Sequence, residues 1–105
     1  MDKAHPTPSP VIRHVVDQLV RDFSPGKIYL FSHKTGSGGD TTSFKLLMVL
    51  DTADKEAVQR KAYLDIECEV PFDIVVYTPD EWDMLVKDPS SFAGKISRTG
   101  MVLHG

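Results

Sequence analysis

FSHKTGSGGDTTSFKLLMVLD, residues 31–51, is the stretch on which the fold turns. Its last third, FKLLMVL (44–50), is a nearly continuous apolar run of strand length, and such runs mark strands covered on both faces. The run therefore reads as a central strand. KIYLF (27–31), β-branched and aromatic, reads as the strand before it, and the glycine-rich GSGGD (36–40) lies in the connection. Lys45 opens the central run with a cation, which is an uncommon way for a strand to enter a core.

Outward from this pair, punctuation and period supply the other elements. Ser9 and Pro10 have the form of an N-cap and first helical position, and Val11, Ile12, Val15, Val16, Leu19, Val20 and Phe23 recur at helical spacing. SPG (24–26) stops that helix. The segment from about Asp54 to Ile66 carries Ala57, Val58, Ala62 and Leu64 among charges, which predicts an amphipathic helix with one wet face. FDIVVY (72–77) is a third strand. TPDE (78–81) has the pattern of a capping box opening a short helix through Trp82, Leu85 and Val86. DPSSF opens a further short helix with Phe92 and Ile96. Gly100 is expected to close it in the left-handed conformation, and MVLH (101–104) to add an edge strand.

Composition bounds the class. The 105 residues, 41% hydrophobic, suffice for one domain and are too few for two. The expectation is a single domain over 9–105, preceded by a polar, proline-rich flexible arm over 1–8. A formal net charge of −3 without a basic stripe argues against strong duplex nucleic-acid binding. A single cysteine, Cys68, forbids an internal disulfide, and it sits between two acids that give its thiol no activation. The chain opens on no leader-like segment and no apolar run approaches the ~18 residues that span a bilayer, so a cytoplasmic protein without membrane contact is expected.

Few residues carry chemistry by type and spacing. GSGGD has two readings, a nest of amides around a phosphate or a flexible glycine-lengthened loop. Ser32, His33 and Lys34 lie next to it and are candidate phosphate-binding residues. His5, His14, His33 and His104 have no metal-ligand spacing among them, so no metal is assigned. Trp82 and Phe92 are read as core residues. Asp73 interrupts an otherwise apolar strand, either as a site carboxylate or as a strand residue facing water at the sheet edge.

The order KIYLF, loop, LLMVLD, helix, PFDIVVYTPDEW and SSFAGKISRTGMVLHG resembles the minimal nucleotidyltransferases of the DNA polymerase beta superfamily over nearly the whole chain. The resemblance implies an α/β (α+β) nucleotidyltransferase fold, a mixed central sheet of about four strands with helices packed on one side. In active members it implies metal-dependent transfer of a nucleoside monophosphate from a nucleoside triphosphate. Such chemistry needs carboxylates that hold two cations about 4 Å apart across the attacking and leaving oxygens. Relatives carry Gly-Ser at the end of the first strand, Asp-x-Asp entering the second and a third Asp on a later strand. Here Ser32 and His33 stand at the Gly-Ser positions, Ser43 and Lys45 at the two carboxylate positions, and Asp73 alone remains of the acidic triad.

A lysine about 4 Å from Mg²⁺ costs roughly 8 kcal/mol at an effective dielectric near 20. The expected product is a degenerate active site, in which the Lys45 ammonium replaces the metal and pairs with Asp73 at a partly buried position. That points to an inactive nucleotidyltransferase-like domain acting as a nucleotide- or anion-binding module or a protein-interaction module, with no cofactor. Two alternatives remain. One is an active transferase using Mg²⁺ with Asp40, Asp51 and Asp73. The other, implied by the resemblance, is an antitoxin-type partner of a small helical HEPN protein; a homodimer is also compatible.

Overall fold

Ser9 holds the first turn of α1 (Pro10–Phe23): its hydroxyl accepts from the Ile12 amide at 3.3 Å, and Pro10 occupies the first turn where a missing N–H costs nothing. The computed structural model that supplies these coordinates describes residues 9–105, so the arm expected over 1–8 lies outside the described residues. Ile12, Val15, Val16 and Leu19 form the buried stripe of α1, each contributing roughly 1.5–3 kcal/mol by leaving water. Ser24 ends the helix in the left-handed conformation (φ 50°), with its N–H on the Val20 carbonyl.

The sheet is built from β1 (Lys27–Thr35), β2 (Thr41–Val49), β3 (Phe72–Tyr77) and β4 (Met101–His104), in the order β3-β2-β1-β4. β1 runs antiparallel to β2 and β4, and β2 parallel to β3, so the sheet is mixed. The parallel pair is joined through α2 (Lys55–Asp65), the crossover that parallel strands require. After β3 come α3 (Pro79–Leu85) and α4 (Phe92–Thr99). Thr78 and Glu81 make the full reciprocal capping box at the start of α3, and Ser91 caps α4 through the Gly94 amide.

Helices cover both faces of the sheet, and this corrects the expectation of helices on one side. Alternate residues of β2 face opposite ways. Phe44, Leu46 and Met48 join α1 and α2 in one core, while Leu47 and Val49 join Tyr29, Trp82, Ala93 and Ile96 in a second core under α3 and α4. Phe44 stacks on Phe72 in the first (centroids 5.6 Å apart), and Trp82 lies 5.2 Å from Tyr29 in the second. The apolar run of β2 needs both covers, so its own pattern outweighed the resemblance.

Other expectations shift in detail. β1 extends to Thr35 and β2 begins at Thr41, which leaves a hairpin turn where a longer loop was expected. Leu64 is 77% exposed, because α2 turns only Val58 and Ala62 inward. Phe92 is 43% exposed, resting edge-on against Phe31 instead of entering the core. Gly100 closes α4 in an extended conformation (φ −74°, ψ 155°), since the chain passes straight into β4 there. An added Cβ at Gly100 would meet the Ile96 carbonyl at 2.8 Å, so close approach and not left-handed geometry is what calls for glycine.

Candidate functional site

The GSGGD turn closes on itself. The Gly36 N–H donates to the Asp40 carbonyl at 2.8 Å and the Gly39 N–H to the Gly36 carbonyl at 3.0 Å, with Gly39 at φ +86°. Two of the amides that a phosphate nest would use are thereby committed to the turn. Ser32, His33 and Lys34, expected at a strand end, lie inside β1 and pair with Lys45, Phe44 and Ser43 of β2.

Register decides which candidates meet. A shift after Leu30 sets both Phe31 and Ser32 against Lys45, so that Phe31 and Ser32 share the α3/α4 side of the sheet. Lys45 is in turn the register partner of Asp73 on β3. Ser32, Lys45 and Asp73 thus form one row across three strands, and Lys34 with Ser43 forms the next row toward the turn, on the same face. His33 pairs with Phe44 and belongs to the opposite face, where its Nε2 lies 2.8 Å from the Thr41 hydroxyl.

This part of the face is open because the helices above it are short. α3 has seven residues and α4 eight, which gives them lengths of about 10 and 12 Å. They cover Leu47 and Val49 and end near Phe31, against which Phe92 packs. One step further along β2, Lys45 is exposed, as are Lys34 and Asp73, with Ser32 and Ser43 half-buried. The result is a shelf of two cations, two hydroxyls and one carboxylate, walled at one side by the Phe31–Phe92 pair.

The expected pairing of Lys45 with Asp73 is corrected in two respects. The two are neighbours in register, but both are exposed rather than partly buried. Among the described residues the close ion pairs are Arg13–Asp17, Lys55–Glu81 and Lys61–Asp65, and none joins Lys45 to Asp73. In water-like surroundings a direct contact gains little over separate solvation, so nothing forces it to close.

The alternative acids do not converge. Asp73 lies beside Lys45, whereas Asp40 precedes Lys45 by five residues and Asp51 follows it by six. Asp40 precedes β2 and Asp51 follows it, so these two acids lie beyond opposite ends of the strand that carries Lys45. Among the described residues no group of three or more His, Cys, Asp or Glu side chains is placed to hold a metal ion. His14 and His104 contact the Glu67 and Pro25 carbonyls at 3.0 and 3.1 Å.

A second polar cluster, which the sequence reading did not single out, sits at the far end of β2 and β3. Lys55 Nζ donates to both carboxylate oxygens of Glu81 at 2.9 and 3.0 Å and lies 5.9 Å from the Tyr77 ring centre. Glu81 also accepts from the Thr78 amide at 2.9 Å, and these bonds hold its carboxyl below its ordinary value of 4.5. The Lys55–Glu81 bonds fasten the start of α2 to the start of α3, and the Thr78 bond belongs to the capping box of α3 itself.

The fold and this shelf define a mixed α/β domain with a four-stranded sheet between two pairs of helices. Compared with family models, with curated proteins and with solved structures, the chain matches none. No helix among the described residues is long and apolar enough to cross a membrane.

Proposed function

We propose that this chain is a nucleotidyltransferase-like domain without metal-dependent transfer, which binds an anionic ligand, a nucleotide phosphate, on the shelf formed by Ser32, Lys34, Ser43 and Lys45. The observation that carries the reading is the register of Lys45 beside Asp73. In the resembled family the corresponding row holds carboxylates and a cation. Here the cation belongs to the chain itself, and Lys34 adds a second on the same face. The hydroxyls of Ser32 and Ser43 alternate with the two ammonium groups in register, so a phosphate laid across β1 and β2 meets donors on both strands.

Both lysines are exposed, so each contact is worth at most about 1 kcal/mol, or roughly fivefold in affinity. Binding is accordingly weak and sensitive to salt. Calorimetric titration with ATP, once with Mg²⁺ and once with EDTA, tests the proposal. Expected is binding of similar strength in both, weakened up to fivefold by Lys34→Ala or Lys45→Ala. Binding that requires Mg²⁺ would refute the metal-free ligand site, and pyrophosphate release from a nucleoside triphosphate would show an enzyme. Absence of binding in both conditions would refute the ligand assignment.

A further inference from the structure

The two edges of the sheet are finished differently. On the β3 edge, the Ile74 N–H donates to Tyr63 Oη at 2.8 Å and the Ile74 carbonyl accepts from Gln59 Nε2 at 2.6 Å. Two side chains of α2 thereby occupy the backbone groups that another strand would use. On the opposite edge, β4 pairs only with Ile28–Leu30 of β1, although β1 continues to Thr35. Along 31–35 the strand is paired with β2 on one side, and among the described residues no strand pairs with it on the other.

An extended backbone with one free side is a template for strand addition. Here the template is flanked by apolar surface on both faces. Phe92, 43% exposed, lies against Phe31 on the α3/α4 side, and Met101, 40% exposed, is the first residue of β4, level with Leu30 on the other. Charge selects the occupant. Lys34 lies on this edge and Lys45 one strand inward, and neither makes an ion pair among the described residues. A second copy paired antiparallel about a two-fold axis at His33 would set Lys34 opposite Ser32 and the two Lys34 side chains diagonal to each other on one face, roughly 7–8 Å apart, and an axis at Lys34 would set them directly opposite, so neither register neutralises the charge as an acidic strand does.

We propose that the free edge of β1 over Phe31–Thr35 accepts an extended acidic segment of a partner protein as a fifth strand. Alternation within that strand directs its carboxylates to the face of Lys34 and Lys45 and its apolar side chains to the face of Met101. Backbone hydrogen bonds supply the pairing, and the lysines supply the preference for acid.

The probe is a labelled Glu-Val-Glu-Val-Glu-Val peptide, titrated into the full chain and followed by fluorescence anisotropy and by amide NMR. A matched peptide with every second amide N-methylated keeps all its charges and loses its donors on one edge. Expected are shifts and slowed exchange of the amides of residues 31–35 with the first peptide, and binding at least tenfold weaker with the second. Lys34→Ala is expected to weaken the first peptide several-fold. Equal binding of the two peptides, shifts confined to the shelf side chains, or no binding at all would overturn the proposal. So would self-association through 31–35 in light scattering. N-methylation leaves phosphate binding untouched, so this proposal and the ligand assignment fail separately.

Discussion

Replacing Ser43 and Lys45 together by aspartate should create a magnesium site. The two positions lie on the same face of β2, and Lys45 is level with Asp73, so the variant would line up three carboxylates on two adjacent strands. Because Lys45 is exposed, a water-like dielectric applies, and its repulsion of a divalent ion at about 4 Å is about 2 kcal/mol rather than the 8 expected for a partly buried site. Lys45→Asp removes that repulsion and adds an attraction of similar size. Ser43→Asp, two residues along the strand and so roughly 7 Å away, adds about 1 kcal/mol. The sum, about 5 kcal/mol, corresponds to between three and four decades in affinity. Calorimetry with MgCl₂, with circular dichroism to establish that the variant is folded, should show binding by the double variant and none by the wild type at the same concentrations. A folded double variant with no gain in magnesium affinity would refute the placement of Lys45 and Ser43 at the metal-ligand positions.

Three predictions concern stability. In Gly94→Ala the new Cβ would collide with the Asp88 carbonyl oxygen, a backbone atom that cannot rotate away, so a loss of about 1–3 kcal/mol and a Tm lower by roughly 5–20 °C should appear in thermal melts. Thr78→Ala removes one half of the capping box of α3 and should cost about 1 kcal/mol in a urea titration, with the slope unchanged. Glu81 has its pKa lowered by the Thr78 amide bond and by Lys55, so its contribution is present above 4.5 and is lost as pH falls through the depressed folded value; the Tm gap between wild type and Glu81→Gln should be full at pH 7 and close toward pH 3. A fourth concerns association: Gln59→Ala with Tyr63→Phe strips the Ile74 backbone of both its partners and should raise concentration-dependent self-association in light scattering.

How much could be read from the chain depends on the kind of signal each element carries. The caps at Ser9 and Thr78 were legible because a cap is a relation among residues three apart, and both form as expected. The extension of β1 and β2 around the turn was not. SHKT and TTS are exposed on at least one side, and alternation shows in sequence only where one face is buried among apolar neighbours. Leu64 and Phe92 were misread for the related reason that an apolar residue at helical spacing does not reveal whether a partner element reaches it. Leu64 has none close enough to bury it, and Phe92 finds only the edge of Phe31.

By itself the sequence determined the helices, the strands, the central place of β2 and the presence of a serine at 43 and a lysine at 45 where a carboxylate pair would otherwise be sought. These follow from residue type, period and spacing, which act over a few positions of chain. Only the tertiary structure decided that Lys45 stands between Ser32 and Asp73, that His33 turns to the other face, and that Asp40 and Asp51 lie too far apart to help. Strand register sets these neighbours. It is chosen by how whole faces pack against four helices, and a shift of one residue would exchange every inward and outward side chain.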